Sequence, residues 1–145
     1  MRRSTHAAVI ALAMLALGSL VGVNTVSAEL EQATIDPTAA RAIGGSYAVV
    51  TGTISCTAGE TFQINLTMGQ SATGTHARGS TTGSCTGDAG TWKVTALTRL
   101  DDPLLQPGLS RVCWNAATYR NGERADTRQG CRTLTLTEST LEAAR

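Results

Sequence analysis

Between Phe62 and Met68 the apolar residues Phe62, Ile64, Leu66 and Met68 alternate without a break with Gln63, Asn65 and Thr67. A period of two puts one set on each face of an extended chain, whereas a helix would scatter the four around its circumference. The segment predicts a strand with one buried face. The same period recurs along the chain. Ala48, Val50, Ile54 and Cys56 oppose Thr51, Thr53 and Ser55, and Trp92, Val94 and Ala96 oppose Lys93, Thr95 and Leu97. Val112, Trp114 and Ala116 form another inward set, and Leu134 and Leu136 alternate with Thr133, Thr135 and Thr137. Asp101-Asp102-Pro103 and Pro107-Gly108 supply turn chemistry between them. Short strands at regular spacing predict an all-β sandwich. The stretch from Gly69 to Gly90 is rich in Gly, Ser and Thr and predicts one polar edge strand around Thr73–Arg78.

The first 28 residues read as an address. Arg2 and Arg3 open the chain, residues 7–23 are apolar or small apart from Ser19, and Val26-Ser27-Ala28 offers a small-residue cleavage site. This is the pattern of a secretory signal peptide. The apolar run of about 17 residues is at the lower limit for spanning a membrane, so no stable membrane anchor is expected after cleavage. Removing 28 of 145 residues leaves 117, with ten basic and 11 acidic side chains. The formal charge of +1 becomes −1. That balance, with 3% aromatics, excludes a strongly basic nucleic-acid binder and a stacking platform for single strands. Threonine, with 21 of the 117 residues, suits the solvent face of strands. A glycosylated stalk would instead be rich in proline and lack apolar alternation. Residues 29–45 read as a flexible leader, 46–137 as the β domain and 138–145 as a tail.

All four cysteines lie in the mature part, and an exported chain meets an oxidising compartment in which thiols pair. The gaps of 29, 28 and 18 residues resemble no zinc-binding spacing. Asn121-Gly122 is a strong hairpin signal, because both residues tolerate the positive φ of a type I′ turn. A two-residue turn there brings Cys113 and Cys131 within one residue of direct opposition, a slip that a bulge at Gly130 would absorb. Cys113 has the opposite parity to Val112 and Trp114, so the clip Cys113–Cys131 is expected on the outside of the hairpin. Cys56–Cys85 follows by elimination.

Candidate chemistry is sparse. His76 is the one histidine of the mature chain and sits in a polar, Gly-rich setting. Asp101 and Asp102 are adjacent, so in extended chain they point to opposite faces. Gly87-Asp88-Ala89-Gly90 offers one carboxylate where calcium needs six to eight oxygens. Asn65-Leu66-Thr67 fits the N-glycosylation pattern. No nucleophile elbow, phosphate loop or dinucleotide fingerprint is present. No catalytic residue, cofactor or metal is assigned. Arg120, Arg124, Arg128 and Arg132 recur every four residues. The segment 120–130 is the candidate contact loop, with Arg120, Arg124 and Arg128 as the residues that would meet an anionic surface or partner.

From Thr51-Gly52-Thr53-Ile54-Ser55-Cys56, through Cys85-Thr86-Gly87 and Trp92-Lys93-Val94, to Pro107-Gly108 and Val112, the chain resembles the small secreted immunoglobulin-like proteins of actinomycetes. Those show a Gly-x-x-x-Cys strand, a Cys-x-Gly before a Trp strand and a Pro-Gly before another strand. The resemblance covers residues 47–118. It implies an immunoglobulin-like antiparallel β-sandwich and an extracellular setting, and it carries no catalytic residues. Subtilisin-inhibitor-like proteins and enediyne-binding apoproteins share size or fold class but not this cysteine spacing.

The reading is a secreted, non-enzymatic β protein that binds an extracellular protein or small ligand or sits in the envelope. The alternative is a secreted protease inhibitor presenting the disulfide-clipped loop 120–130. A small hydrolase using His76 is a distant third. N-terminal sequencing of the exported protein should begin at Glu29. An intact Met1 on secreted material would overturn the cleavage reading.

Overall fold

The structure, a computed structural model, describes residues 30–139. The expected signal peptide and the tail beyond Ser139 lie outside the described residues. Eight strands follow in order: β1 (Leu30–Ala33), β2 (Thr38–Arg41), β3 (Tyr47–Cys56), β4 (Thr61–Gln70), β5 (Thr75–Ser84), β6 (Gly90–Thr98), β7 (Gly108–Arg120) and β8 (Glu123–Glu138). Among the described residues there is no helix.

The pairing forms a ring. β3 pairs with β2, β2 with β8, β8 with β7, β7 with β4, β4 with β5, β5 with β6, and β6 returns to β3. Seven strands are thus closed into a barrel, and β1 adds to the far half of the β3 edge that β2 occupies. All pairings are antiparallel except β2 with β8, which run parallel from Thr38 opposite Thr135 to Arg41 opposite Glu138. The two-sheet sandwich expected from the alternation is corrected to this extent: the chain is all-β with two disulfides, but its hydrogen bonding closes. The closing contacts are short. β5 meets β6 only at Ala77 opposite Thr98 and Arg78 opposite Leu97, whereas β4 and β5 pair along their whole length.

The predicted inward sets are inward. Ala48, Val50, Ile54, Ile64, Leu66, Met68, Trp92, Val94, Ala96, Val112, Ala116, Leu134 and Leu136 are all buried in one core. Two expectations are overturned. Over residues 30–45, the described part of the expected leader, the chain is built into the fold: β1 and β2 lie there, and Leu30, Ile35 and Ala39 are buried in the core. The segment escaped notice because Asp36-Pro37 interrupts its alternation, where one strand edge hands over to another. The polar stretch after Gly69 carries a ten-residue strand between β4 and β6 rather than a short edge strand.

The reason is a repeated exchange of glycine for aromatic volume. Phe62 stands opposite Gly83, Trp92 opposite Gly52 and Trp114 opposite Gly130. In each pair the ring covers the glycine, and a Cβ there would lie 2.4, 2.6 or 3.0 Å from ring carbons. An aromatic ring lying across a strand glycine replaces the side chain that the glycine lacks. On β5 the inward Gly79 similarly admits the Thr95 carbonyl and the Val94 side chain. The inner face of β5 is therefore filled from neighbouring strands, and no apolar alternation marks it.

The two disulfides join the expected cysteines. Cys113 and Cys131 are directly opposed, with Cα atoms 4.0 Å apart, and Cys131 is exposed, so the clip lies outside the hairpin. The turn has positive φ at Asn121 (53°) and Gly122 (82°), as a type I′ turn requires. The register slip falls between the Thr118 and Tyr119 pairs, not at Gly130. Ala125 is the extra residue, since Tyr119 faces Arg124 and Thr118 faces Asp126. Gly130 is occupied instead by the Trp114 ring. Cys56–Cys85 joins the end of β3 to the start of the β5–β6 connection.

Gly52 is the tightest of the covered glycines, because a Cβ would also come within 2.0 Å of the Thr34 carbonyl oxygen. Gly52→Ala should cost about 3 kcal/mol of stability. Gly69→Ala, which would meet nothing closer than 3.9 Å, should stay within about 0.5 kcal/mol. Urea midpoints of the two variants check the contrast.

Candidate functional site

The register assigns every odd-numbered side chain of β4 and β7 to the outer surface of the β5–β4–β7–β8 ladder. Across this surface Thr61 lies between Ser84 and Tyr119, Gln63 between Thr82 and Ala117, and Asn65 between Ser80 and Asn115. Thr127 and Gln129 of β8 continue the second and third rows. None of these side chains is charged. Charges flank these rows, with Arg78 opposite Thr67, Arg111 opposite Gly69 and Arg124 opposite Tyr119. The surface is polar because threonine, serine and amide side chains tolerate the outer face of a strand, while the alternating Phe62, Ile64 and Leu66 hold the same strand to the core.

At one end this surface is indented. Thr61, Phe62, Gln63, Thr82, Gly83, Ser84 and Tyr119 line a groove of about 430 Å³. Phe62 and Gly83, a pair on the inward parity, lie at the floor of the groove between the outward Thr61, Gln63, Thr82 and Ser84. The Tyr119 hydroxyl donates to Gln63 Oε1 at 3.3 Å. That bond fixes the amide so that its NH₂ group is the end turned away from the phenol. The groove therefore combines an aromatic face, an amide donor and three small hydroxyls. Such a mixture of apolar surface with a few oriented polar groups is the usual make-up of a small-ligand site.

The sequence-predicted contact residues do not come together. The segment 120–130 is not a loop: aside from the two-residue turn it is regular hairpin. Arg120 turns inward, and its Nη2 lies 2.9 Å from Glu60 Oε1. The bulge at Ala125 rotates Arg124 to the outer surface beside Tyr119, while Arg128, opposite Ala116, lies on the inner parity. The even spacing of the arginines suggested a shared face, and one extra residue in the strand separates them. The four cysteines are all in disulfides. His76 is exposed on β5; its backbone N–H donates to Asp102 Oδ2 at 3.1 Å, and its Nδ1 is 3.6 Å from the same oxygen. Asp102 thus ties the β6–β7 connection to the start of β5, and both residues sit at the barrel end opposite the groove. Among the described residues, no three His, Cys, Asp or Glu side chains are placed to hold a metal ion.

Sequence reasoning missed Glu60. It lies in the β3–β4 connection, its side chain is 1% exposed, and its carbonyl accepts from Cys85 N–H at 2.8 Å. A carboxylate so buried costs several kcal/mol in lost hydration unless it is paired. Arg120 is the cation that faces it, which is why the hairpin tip is folded against this end of the barrel and Tyr119 is held over the groove. Nothing in the alternation marks this, because an acid in a turn reads as solvated. The groove residues Gln63 and Tyr119 were legible only as strand positions.

No protein-family model matches the chain, and no curated protein matches it.

Arg120→Ala should destabilise the protein by roughly 2–3 kcal/mol, because it leaves a buried carboxylate without its cation. Glu60→Gln should cost less, since it removes the charge along with the pair. Chemical denaturation at neutral pH checks the order of the two.

Proposed function

We propose that this chain is an exported, non-catalytic binding module whose outer β5–β4–β7–β8 surface receives a neutral oligosaccharide in the groove beside Tyr119. The observation that carries the reading is the hydrogen-bonded Tyr119–Gln63 pair set among the uncharged side chains that line the groove. A sugar ring presents an apolar face suited to the side of a tyrosine and hydroxyls suited to an amide. A charged ligand would find no counter-ion within the groove. The role proposed for the groove is binding, with no cleavage step assigned to it.

An extracellular setting fits two disulfides, which form and persist in oxidising compartments, and fits the signal-like start of the chain. An immunoglobulin-like ancestry belongs to the same proposal. Its support is connectivity: β1 and β6 flank β3 in one layer, and β8, β7, β4 and β5 succeed one another in the other. The first edge is split, with β1 beside β3 and β2 parallel to the last strand. The disulfides depart from the pattern of antibody domains, where one bridge joins the two layers behind a tryptophan. Here one bridge lies within the β7–β8 hairpin.

Linear neutral gluco- and xylo-oligosaccharides titrated into the mature protein should shift amide resonances of β4 and β7 around Gln63 and Tyr119. Tyr119→Ala and Gln63→Ala should abolish those shifts with the fold retained. Shifts confined to other surfaces, or none at millimolar sugar, would end this reading.

A further inference from the structure

On the far side of β8 the barrel wall is incomplete. β8 pairs with β2 only from Thr135 onward, and β1 pairs only with β3. Between them lies a slot of about 270 Å³ lined by Gln32, Ala33, Trp114, Arg128 and Gln129. It is bounded along the strands by two cross-links. At one end Leu30 N–H donates to Asp126 Oδ2 at 3.0 Å, and at the other Arg132 Nη1 donates to the Ile35 carbonyl at 2.6 Å. These bridges leave too short a gap for an extended peptide to run in as an added strand, which needs a continuous free edge. One compact group fits.

The lining defines that group. Trp114 is half-buried and rests on Gly130, so its ring is fixed in place and forms the floor. Arg128 is exposed, one step along the same face of the hairpin, and among the described residues no carboxylate is within ion-pairing distance of it. The nearest acid on its own strand and face, Asp126, is engaged by Leu30 N–H and Thr127 N–H. Gln32 borders the slot from β1 and brings an amide to it, while Gln129 borders it from β8 with its side chain on the outer parity. An indole floor, a guanidinium with no ion-pair partner among the described residues, and an amide match a six-membered ring that bears a carboxylate and neighbouring hydroxyls.

We propose that this slot binds the terminal uronic-acid residue of an acidic glycan. The sugar ring lies on Trp114, the carboxylate meets Arg128, and Gln32 holds a hydroxyl. The site is separate from the groove beside Tyr119 and does not rest on it.

The test uses the mature protein and galacturonic-acid trisaccharide, with the corresponding neutral galactose trisaccharide as control. The acidic sugar should bind and change the tryptophan emission, and the neutral one should bind at least about tenfold more weakly. Arg128→Gln should weaken the acidic sugar by about tenfold or more with an unchanged melting temperature. Trp114→Phe should remove the emission change, and Tyr119→Ala should leave acidic-sugar binding intact. Several outcomes would overturn the proposal: no binding of the acidic trisaccharide at millimolar concentration, equal binding of both sugars, or an Arg128→Gln variant that binds like the parent. So would equal competition by a short peptide with a free terminal carboxylate. Loss of acidic-sugar binding in Tyr119→Ala would overturn it too, by moving the site to the other groove.

Discussion

Three aromatic rings laid across three opposing glycines hold this barrel together. With few large side chains available, the chain gains core volume by letting one strand lend a ring to the bare backbone of its neighbour. Phe62 on Gly83 joins β4 to β5, Trp92 on Gly52 joins β6 to β3, and Trp114 on Gly130 joins β7 to β8. Each pair spans a different seam, and each lets the sheet bend more sharply than two facing side chains would allow. The groove beside Tyr119 and the slot over Trp114 each lie next to one of these pairs.

Each end of the barrel holds a buried charge. At one end Glu60 faces Arg120. At the other, Arg41 is buried, reaches the carbonyl oxygens of Ala42 and Leu105, and pairs with Glu138. Arg41 thereby gathers β2, the long β6–β7 connection and the end of β8 at one point. Gln70 does similar work beside it, exchanging two hydrogen bonds with the backbone of Gln106. Buried polar groups that are paired in this way fix which loops meet, because a wrong arrangement leaves one of them without a partner.

Much of the fold was legible because parity in a strand follows directly from which residues are apolar. Phe62 to Met68, Trp92 to Ala96 and Leu134 to Leu136 needed nothing more. The hairpin and its outer disulfide were legible because Asn121-Gly122 allows few turn geometries. β5 was not, since its inner face is glycine and its partners' rings lie elsewhere in the sequence. Closure into a ring was not legible either, because it depends on a few residues of β2, β5 and β6 whose pairing no local pattern announces. The candidate sites were hardest. Arg120, Arg124 and Arg128 carry a regular spacing that a single bulged residue at Ala125 scatters over different surfaces. Gln63 and Tyr119 are 56 residues apart and read as ordinary strand positions until the register brings them together.

The parallel pairing of β2 with β8 has a mechanical meaning. The chain enters this ladder at Thr38 and leaves it at Glu138, travelling in the same direction in both strands. Tension applied between the two termini would therefore slide the strands past one another lengthwise, and the ladder's hydrogen bonds would be loaded together. In an antiparallel hairpin pulled open from its ends, those bonds would break singly, in succession. The one parallel ladder among the described strands is thus placed to act as a clamp in shear.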